Sequence, residues 1–249
     1  MASASAQAPG VKSQAASPGP FDGLIVKQWC GNLSKYISQI TPSGVRIDSV
    51  KHEYYLISHA PDWKVYVVNN ERKQVSIVSH YDWCTKYQLH QLTWVATLRR
   101  PMRTACTLVD GHKQITYFFG QTEHTTNVVA TRSGLRDEDR ESGPNHAEVV
   151  ALDYPGAQMT GPIMMRLRGL PPLPGILLTA RRYYGDPRKR NFNGAIDTSE
   201  TLFNQKIPNS IFVLPRDYKI VPFSALMVET ENLKNNTTDL INDLMLDRK

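Results

Sequence analysis

The chain has 249 residues, of which 41% are hydrophobic and 21% charged, with a formal net charge of +6. That composition excludes intrinsic disorder for the bulk of the chain, and the length supports a buried core without disulfide or metal support. The basic balance fits anionic partners in general, but no nucleic-acid recognition motif accompanies it, and no stretch reaches the ~18–20 apolar residues of a membrane span.

In chain order, residues 1–20 are rich in Ala, Ser, Gly and Pro, with Lys12 as their single charged side chain, which predicts a disordered tail. Ala4-Ser5-Ala6 has the small-x-small form of a signal-peptidase site without an apolar core before it. Two readings stay open: a periplasmic or secreted protein whose leader has been trimmed, and a cytoplasmic protein with a flexible tail. From Gly23 onward the pattern is strand. Val45 and Ile47 alternate with Arg46 and Asp48, Trp63, Val65 and Val67 with Lys64, Tyr66 and Val68, and Val75 and Ile77 with Gln74 and Ser76. Turn clusters at Pro42-Ser43-Gly44, Ala60-Pro61-Asp62 and Asn69-Asn70 lie too close together for parallel crossovers and predict an antiparallel meander. Residues 81–98 mix helical spacing with strand formers and are read as a helix. Strands are expected at 104–109, 114–120 and 125–132, with Asp110-Gly111 as a hairpin turn between the first two. Residues 133–146 read as a polar loop and 148–152 as a strand. A helix is expected at 160–170, capped by Thr160, with Pro162 near its start and Gly169 and Pro171-Pro172 at its end. Strands are expected at 176–184, 195–203, 210–214 and 221–229, and Leu233, Leu240, Ile241, Leu244 and Met245 give the last segment one apolar helical face.

The sum is a mainly β chain: a disordered tail at 1–20, a single β domain at 21–228 and a helical tail at 229–249. A long meander must close, fold over or curve. Helices inserted between strands favour a curved antiparallel sheet, a half-open barrel, with two or three short helices covering its concave face. The three cysteines, Cys30, Cys84 and Cys106, have no metal-binding spacing and read as buried thiols.

Residues 169–178 read GLPPLPGILL and residues 206–221 read KIPNSIFVLPRDYKIV. With Gly175, Ile176, Leu177 and Leu178, and later Ile207, Pro208, Phe212, Pro215, Tyr218 and Lys219, this part resembles the C-terminal part of the LolA/LolB-like lipoprotein-carrier superfamily. The strand run from Tyr36 to Ser79 fits the same layout, while residues 132–145 have no part in it. The resemblance implies a half-open β-barrel, closed by helices, that holds an acyl chain or other apolar ligand. The superfamily also contains the violacein-pathway enzyme VioE, which acts without a cofactor.

No catalytic signature is present: no GxSxG, HExxH, Walker loop or GxGxxG. The seven histidines (His52, His59, His80, His90, His112, His124 and His146) form no dense ligand cluster, and His124 with His146 is the one pair worth weighing. No cofactor and no metal are expected. The aromatics Tyr36, Tyr54, Trp63, Tyr66, Tyr117 and Phe119 are candidates to line a pocket for a flat or amphipathic ligand. The basic run around Arg181, Arg182 and Tyr183 is a candidate anion receiver, since neighbouring arginines on one strand face opposite sides. The expected function is a binding or carrier protein for an apolar or amphipathic, lipid-like ligand. The alternative is a cofactor-independent enzyme acting on an aromatic or polyketide-like intermediate. A further partner, another protein, is expected only through a sheet edge.

Overall fold

The computed structural model describes residues 21–30, 34–50, 54–86, 101–120, 146–183 and 192–226. A six-strand meander comes first: β1 (Phe21–Cys30), β2 (Ser34–Thr41), β3 (Gly44–Ser49), β4 (Tyr54–His59), β5 (Val65–Asn69) and β6 (Gln74–Val78). Helix α1 (His80–Thr85) leads on to β7 (Arg103–Val109), β8 (His112–Gly120) and β9 (His146–Leu152). Helix α2 (Ala157–Leu167) precedes β10 (Ile176–Tyr183) and the long β11 (Phe192–Ile207); a 3-10 turn at Asn209–Phe212 and the short β12 (Lys219–Ile220) follow. All twelve strands form one sheet in the order β12-β6-β5-β4-β3-β2-β1-β11-β10-β9-β8-β7. Every pairing is antiparallel except β12 on β6, and among the described residues the two edges do not pair with each other, so the sheet is a half-open barrel.

Irregular register bends it. Register shifts interrupt the β1–β11 ladder twice and the β10–β11 and β9–β10 ladders once each, and each added residue kinks and twists its strand. In consequence β11 curls back toward β8: the rings of Phe203 and His112 stack with centroids 3.8 Å apart. In a flat sheet, strands three places apart would be separated by roughly 14 Å.

Strand alternation sorts the side chains. Leu24 and Val26 of β1, Tyr36 and Ile40 of β2, Val45 and Ile47 of β3, Leu56 of β4 and Val65 and Val67 of β5 face the concave side and are buried. Tyr117, Phe119, Val149, Ala151 and Ala180 continue that layer on the other half. Helix α2 covers it with Ile163, Met164, Met165 and Leu167. The indole of Trp83 in α1 is fully buried and donates to the Ile163 carbonyl at 3.2 Å, tying the two helices. On the convex side a smaller cluster, Tyr55, Ile57, Val68 and Val75, packs against Phe212, Leu214 and Tyr218.

Most expected strands stand, and the Asp110-Gly111 turn has both residues at positive φ, 49° and 78°, as a two-residue hairpin requires. Three expectations are corrected. The helix expected at 160–170 starts at Ala157, because Gly156 at φ 81°, four residues after β9 ends, turns the chain into it; Thr160 is inside the helix and buried, and Pro162 lies at its centre. The strand expected at 210–214 is a 3-10 turn, and of the strand expected at 221–229 the described part, 221–226, holds a helical turn at 223–226, the pairing nearby being that of Lys219–Ile220, while 227–229 lie outside the described residues. In both places the apolar residues cover existing surface, Phe212 and Leu214 on the convex side and Phe223 against Trp83, with centroids 5.9 Å apart. The helix expected at 81–98 is described only as α1. Its remainder, the strand at 125–132, the loop at 133–145 and both tails lie outside the described residues.

Helix α2 passes so close to the strand entry that a Cβ on Gly161 would sit 2.5 Å from the Gly175 carbonyl oxygen and 2.7 Å from its nitrogen. Helix propensity alone would favour Gly161→Ala by about 1 kcal/mol. The backbone of Gly175 cannot yield like a flexible side chain, so the substitution is expected to lower stability by about 1–3 kcal/mol, measured by urea denaturation. A more stable variant would contradict this packing.

Candidate functional site

The concave layer is apolar except where α2 ends. Gly169, at φ 71°, reverses the chain there, with its N–H bonded to the Arg166 carbonyl at 3.0 Å and that of Leu170 to the Met165 carbonyl at 2.9 Å. This turn directs Arg168 inward, where it is 1% exposed. Its guanidinium lies over the Tyr36 ring, 3.4 Å from the centroid. Its Nη2 reaches the Oε1 of Gln28 at a long 3.5 Å, and Nε and Nη1 have no hydrogen-bond partner. Nε carries one N–H and Nη1 two, so three of the five donors of this arginine are unclaimed.

The surroundings are built for this. The register shift between Leu177 and Thr179 frees backbone carbonyls of β10. Gln28, 2% exposed, donates from Nε2 to the Leu177 carbonyl at 2.7 Å, which turns its own carbonyl oxygen toward Arg168. The Tyr36 and Tyr54 hydroxyls lie 3.2 Å apart. Burial, and then the neighbouring Tyr36, push the Tyr54 hydroxyl well above its usual range, against a smaller opposing pull from Arg168. Tyr54 therefore stays a neutral hydroxyl. Burial also depresses the Arg168 pKa, opposed by Tyr36, Cys30 and Tyr54, but a guanidinium remains charged in a protein.

The energetics leave a deficit. Taking an ion out of water costs several kcal/mol even after relaxation. A desolvated cation–π contact returns about 2 kcal/mol, and the contact to Gln28 is too long to add much. Among the described residues every ion pair joins partly or largely exposed side chains, as in Lys27–Glu200, Lys113–Asp153 and Arg181–Asp197, and none involves Arg168. The one fully buried guanidinium described thus faces an apolar layer without a counter-charge among the described residues.

The candidates from the sequence divide. Tyr36, Tyr54, Tyr117 and Phe119 face the concave layer, and the Tyr117 hydroxyl donates to the Pro174 carbonyl at 2.9 Å. Trp63 packs at the margin of that layer with φ 51°, just before β5. Tyr66 is on the convex side, stacked 6.4 Å from His59 and packed on the Tyr55 cluster, so it does not join the others. Arg181 lies beside Asp197 at 3.7 Å with its side chain 43% exposed, opposite the buried Ala180. Arg182 and Tyr183 are placed by backbone register alone, against Ala147 and His146. His124 lies outside the described residues, and no group of three or more potential metal ligands occurs among the described residues. The cysteines are free; Cys30 is buried, Cys84 half-buried and Cys106 exposed, so the reading of three buried thiols is corrected at Cys106. Two clefts, of about 520 and 470 Å³, lie outside the concave layer, one beside His59 and Phe212 and one beside Ile77 and Ile220. Arg168 was not among the candidates. Its signal was present: two arginines inside the apolar run 163–170, with Gly169 to end the helix.

Arg168→Met is expected to leave the ligand-free protein as stable as the parent or more stable by about 1–4 kcal/mol, as when a buried ion gives way to an apolar side chain. A loss of about 3–5 kcal/mol in chemical denaturation would instead mean that the chain holds its own counter-charge. For Tyr54, the folded pKa is raised above the unfolded value near 10.0. Its contribution to stability is complete below that pH and is lost as pH rises through the folded value. Tyr54→Phe should flatten the alkaline decline of stability above pH 10; an unchanged decline would contradict the burial of this hydroxyl.

No family model and no curated protein matches the chain. Among solved structures it is similar to an uncharacterized conserved protein from Thermus thermophilus, at 8% identity, over 81% of this chain and 90% of that one, with a TM-score of 0.39. At that level of likeness nothing about function passes from one to the other.

Proposed function

We propose that the protein binds or carries an amphipathic ligand with an anionic head, the head held by Arg168 and the apolar tail lying in the concave layer along α2. The observation that carries this reading is the guanidinium with three unclaimed N–H donors, 1% exposed in apolar surroundings. A carboxylate or phosphate oxygen supplies the missing counter-charge and accepts charge-assisted hydrogen bonds there. The Tyr36–Tyr54 hydroxyl pair and Gln28 add neutral polar groups beside the head. The tail would meet Met164 and Met165, whose unbranched, adaptable side chains re-pack around irregular apolar shapes. The resemblance of residues 169–221 to the LolA/LolB-like carriers agrees with the same reading.

The second reading, a cofactor-independent enzyme, has no observation of its own. Tyr54 is held protonated and is a donor rather than a base, and burial pushes the Cys84 thiol up to about 11, away from a thiolate nucleophile.

The test uses the full chain, stripped of bound lipid, titrated with oleate and with oleyl alcohol. Oleate is expected to bind more tightly than the alcohol. Arg168→Met should weaken oleate at least about tenfold, equivalent to about 1.4 kcal/mol, and leave the alcohol unchanged. Equal affinities for the two probes, or an oleate affinity indifferent to Arg168, would overturn the proposal.

A further inference from the structure

The two edges of the sheet are treated differently. At one end β12 is two residues long, begins with Lys219 and is followed by Pro222, which blunts it against further pairing. At the other, β7 runs for seven residues with only Arg103 charged and no proline inside. It is exposed along nearly its whole length: Leu108 is 74% exposed, Val109 42%, and Met102 just before it 72%. Among the described residues β8 is its only partner.

The hairpin fixes which backbone groups are free. The two-residue Asp110-Gly111 loop closes on Val109 and His112, and in such a loop the closing pair exchanges both hydrogen bonds. Alternation then assigns Arg103, Ala105, Thr107 and Val109 to β8, and points the N–H and C=O groups of Thr104, Cys106 and Leu108 outward. We infer that this edge pairs with the same edge of a second copy, antiparallel about a two-fold axis at Cys106. In that register Cys106 meets the second copy's Cys106 and Thr104 meets its Leu108, so the outward groups of all three residues are satisfied on both chains. The arrangement is also matched in charge. Arg103 falls opposite the second copy's Val109, next to its Asp110, so the one charged residue of β7 meets the acidic turn residue at each end, and no like charges face each other along the two paired edges. A closed two-fold pairing removes the exposed edge that an isolated chain would offer to aggregation.

The full chain should sediment at twice its 28.1 kDa mass at about 100 µM, a concentration chosen for interfaces of modest size. A short bis-maleimide should link the two chains through Cys106, the one exposed thiol, and Cys106→Ser should abolish the link while keeping the dimer. Thr104→Pro removes an outward N–H that β8 does not use, and Leu108→Lys adds a charge to the edge. Both should give folded monomers with unchanged far-UV circular dichroism. A monomeric parent chain, a dimer that cannot be linked through Cys106, or a dimer that survives both substitutions would overturn the inference.

Discussion

A twelve-strand open sheet has two broad faces, and among the described residues few elements cover them. On the concave side the cover is α2, eleven residues long, seated against the strand entry at Gly161 and Gly175 and clamped by the indole of Trp83. The inner layer depends on that contact. Side chains from β1 through β5 and from β8 through β10 are dry because α2 and the segment after it lie over them. The convex side is handled more simply, by a 3-10 turn and the strand-less segment after it folding back on Tyr55 and Ile57. The bulges around β1, β10 and β11 complete the arrangement, since a flat sheet would leave α2 in contact with only a few strands.

The same helix carries the polar exception. Because Gly169 reverses the chain, the last side chain before it is driven under the helix rather than out into solvent. The aromatic face of Tyr36 and the amide of Gln28 give the guanidinium a defined position without neutralising it. On the proposed reading, a site of this form would select by charge at one end and by fit at the other. It would also couple occupancy to the seating of α2, since the head group would bind the C-terminal end of the helix that closes the layer.

Much of the fold could be read locally. The alternation at Val45–Ile47 and Val65–Val67 and the Asp110-Gly111 turn are properties of a few neighbouring residues, and they become the expected strands and hairpin. What escaped were features set by distant partners. An alternating apolar run reports that every second residue is covered, not by what. Residues 210–214 are apolar from Ile211 on, and Phe212 and Leu214 lie on the convex cluster rather than pairing. Tyr66 has the composition of a pocket residue, but its place in the alternation relative to Val65 and Val67 sends it to the opposite face. Arg168 is the sharpest case. A basic residue in an apolar stretch ordinarily extends its stem and leaves its head in water. That it does not here follows from the strand bulge, the aromatic ring and the reversed chain together, three elements far apart in sequence.

The position of β1 has one more consequence. β1, the first strand among the described residues, sits in the middle of the sheet, between β2 and β11, and β11 is the last long strand among the described residues to leave the ribosome. The six-strand meander can assemble early from neighbours in the chain. The second half has no attachment to it within the sheet until residues near 200 find residues near 25. So distant a pairing is slow to form, and until then β1 presents an unsatisfied edge. The nascent protein therefore passes through a long interval as a half-sheet, and its need for chaperone protection during synthesis should last until β11 has been made and has found β1.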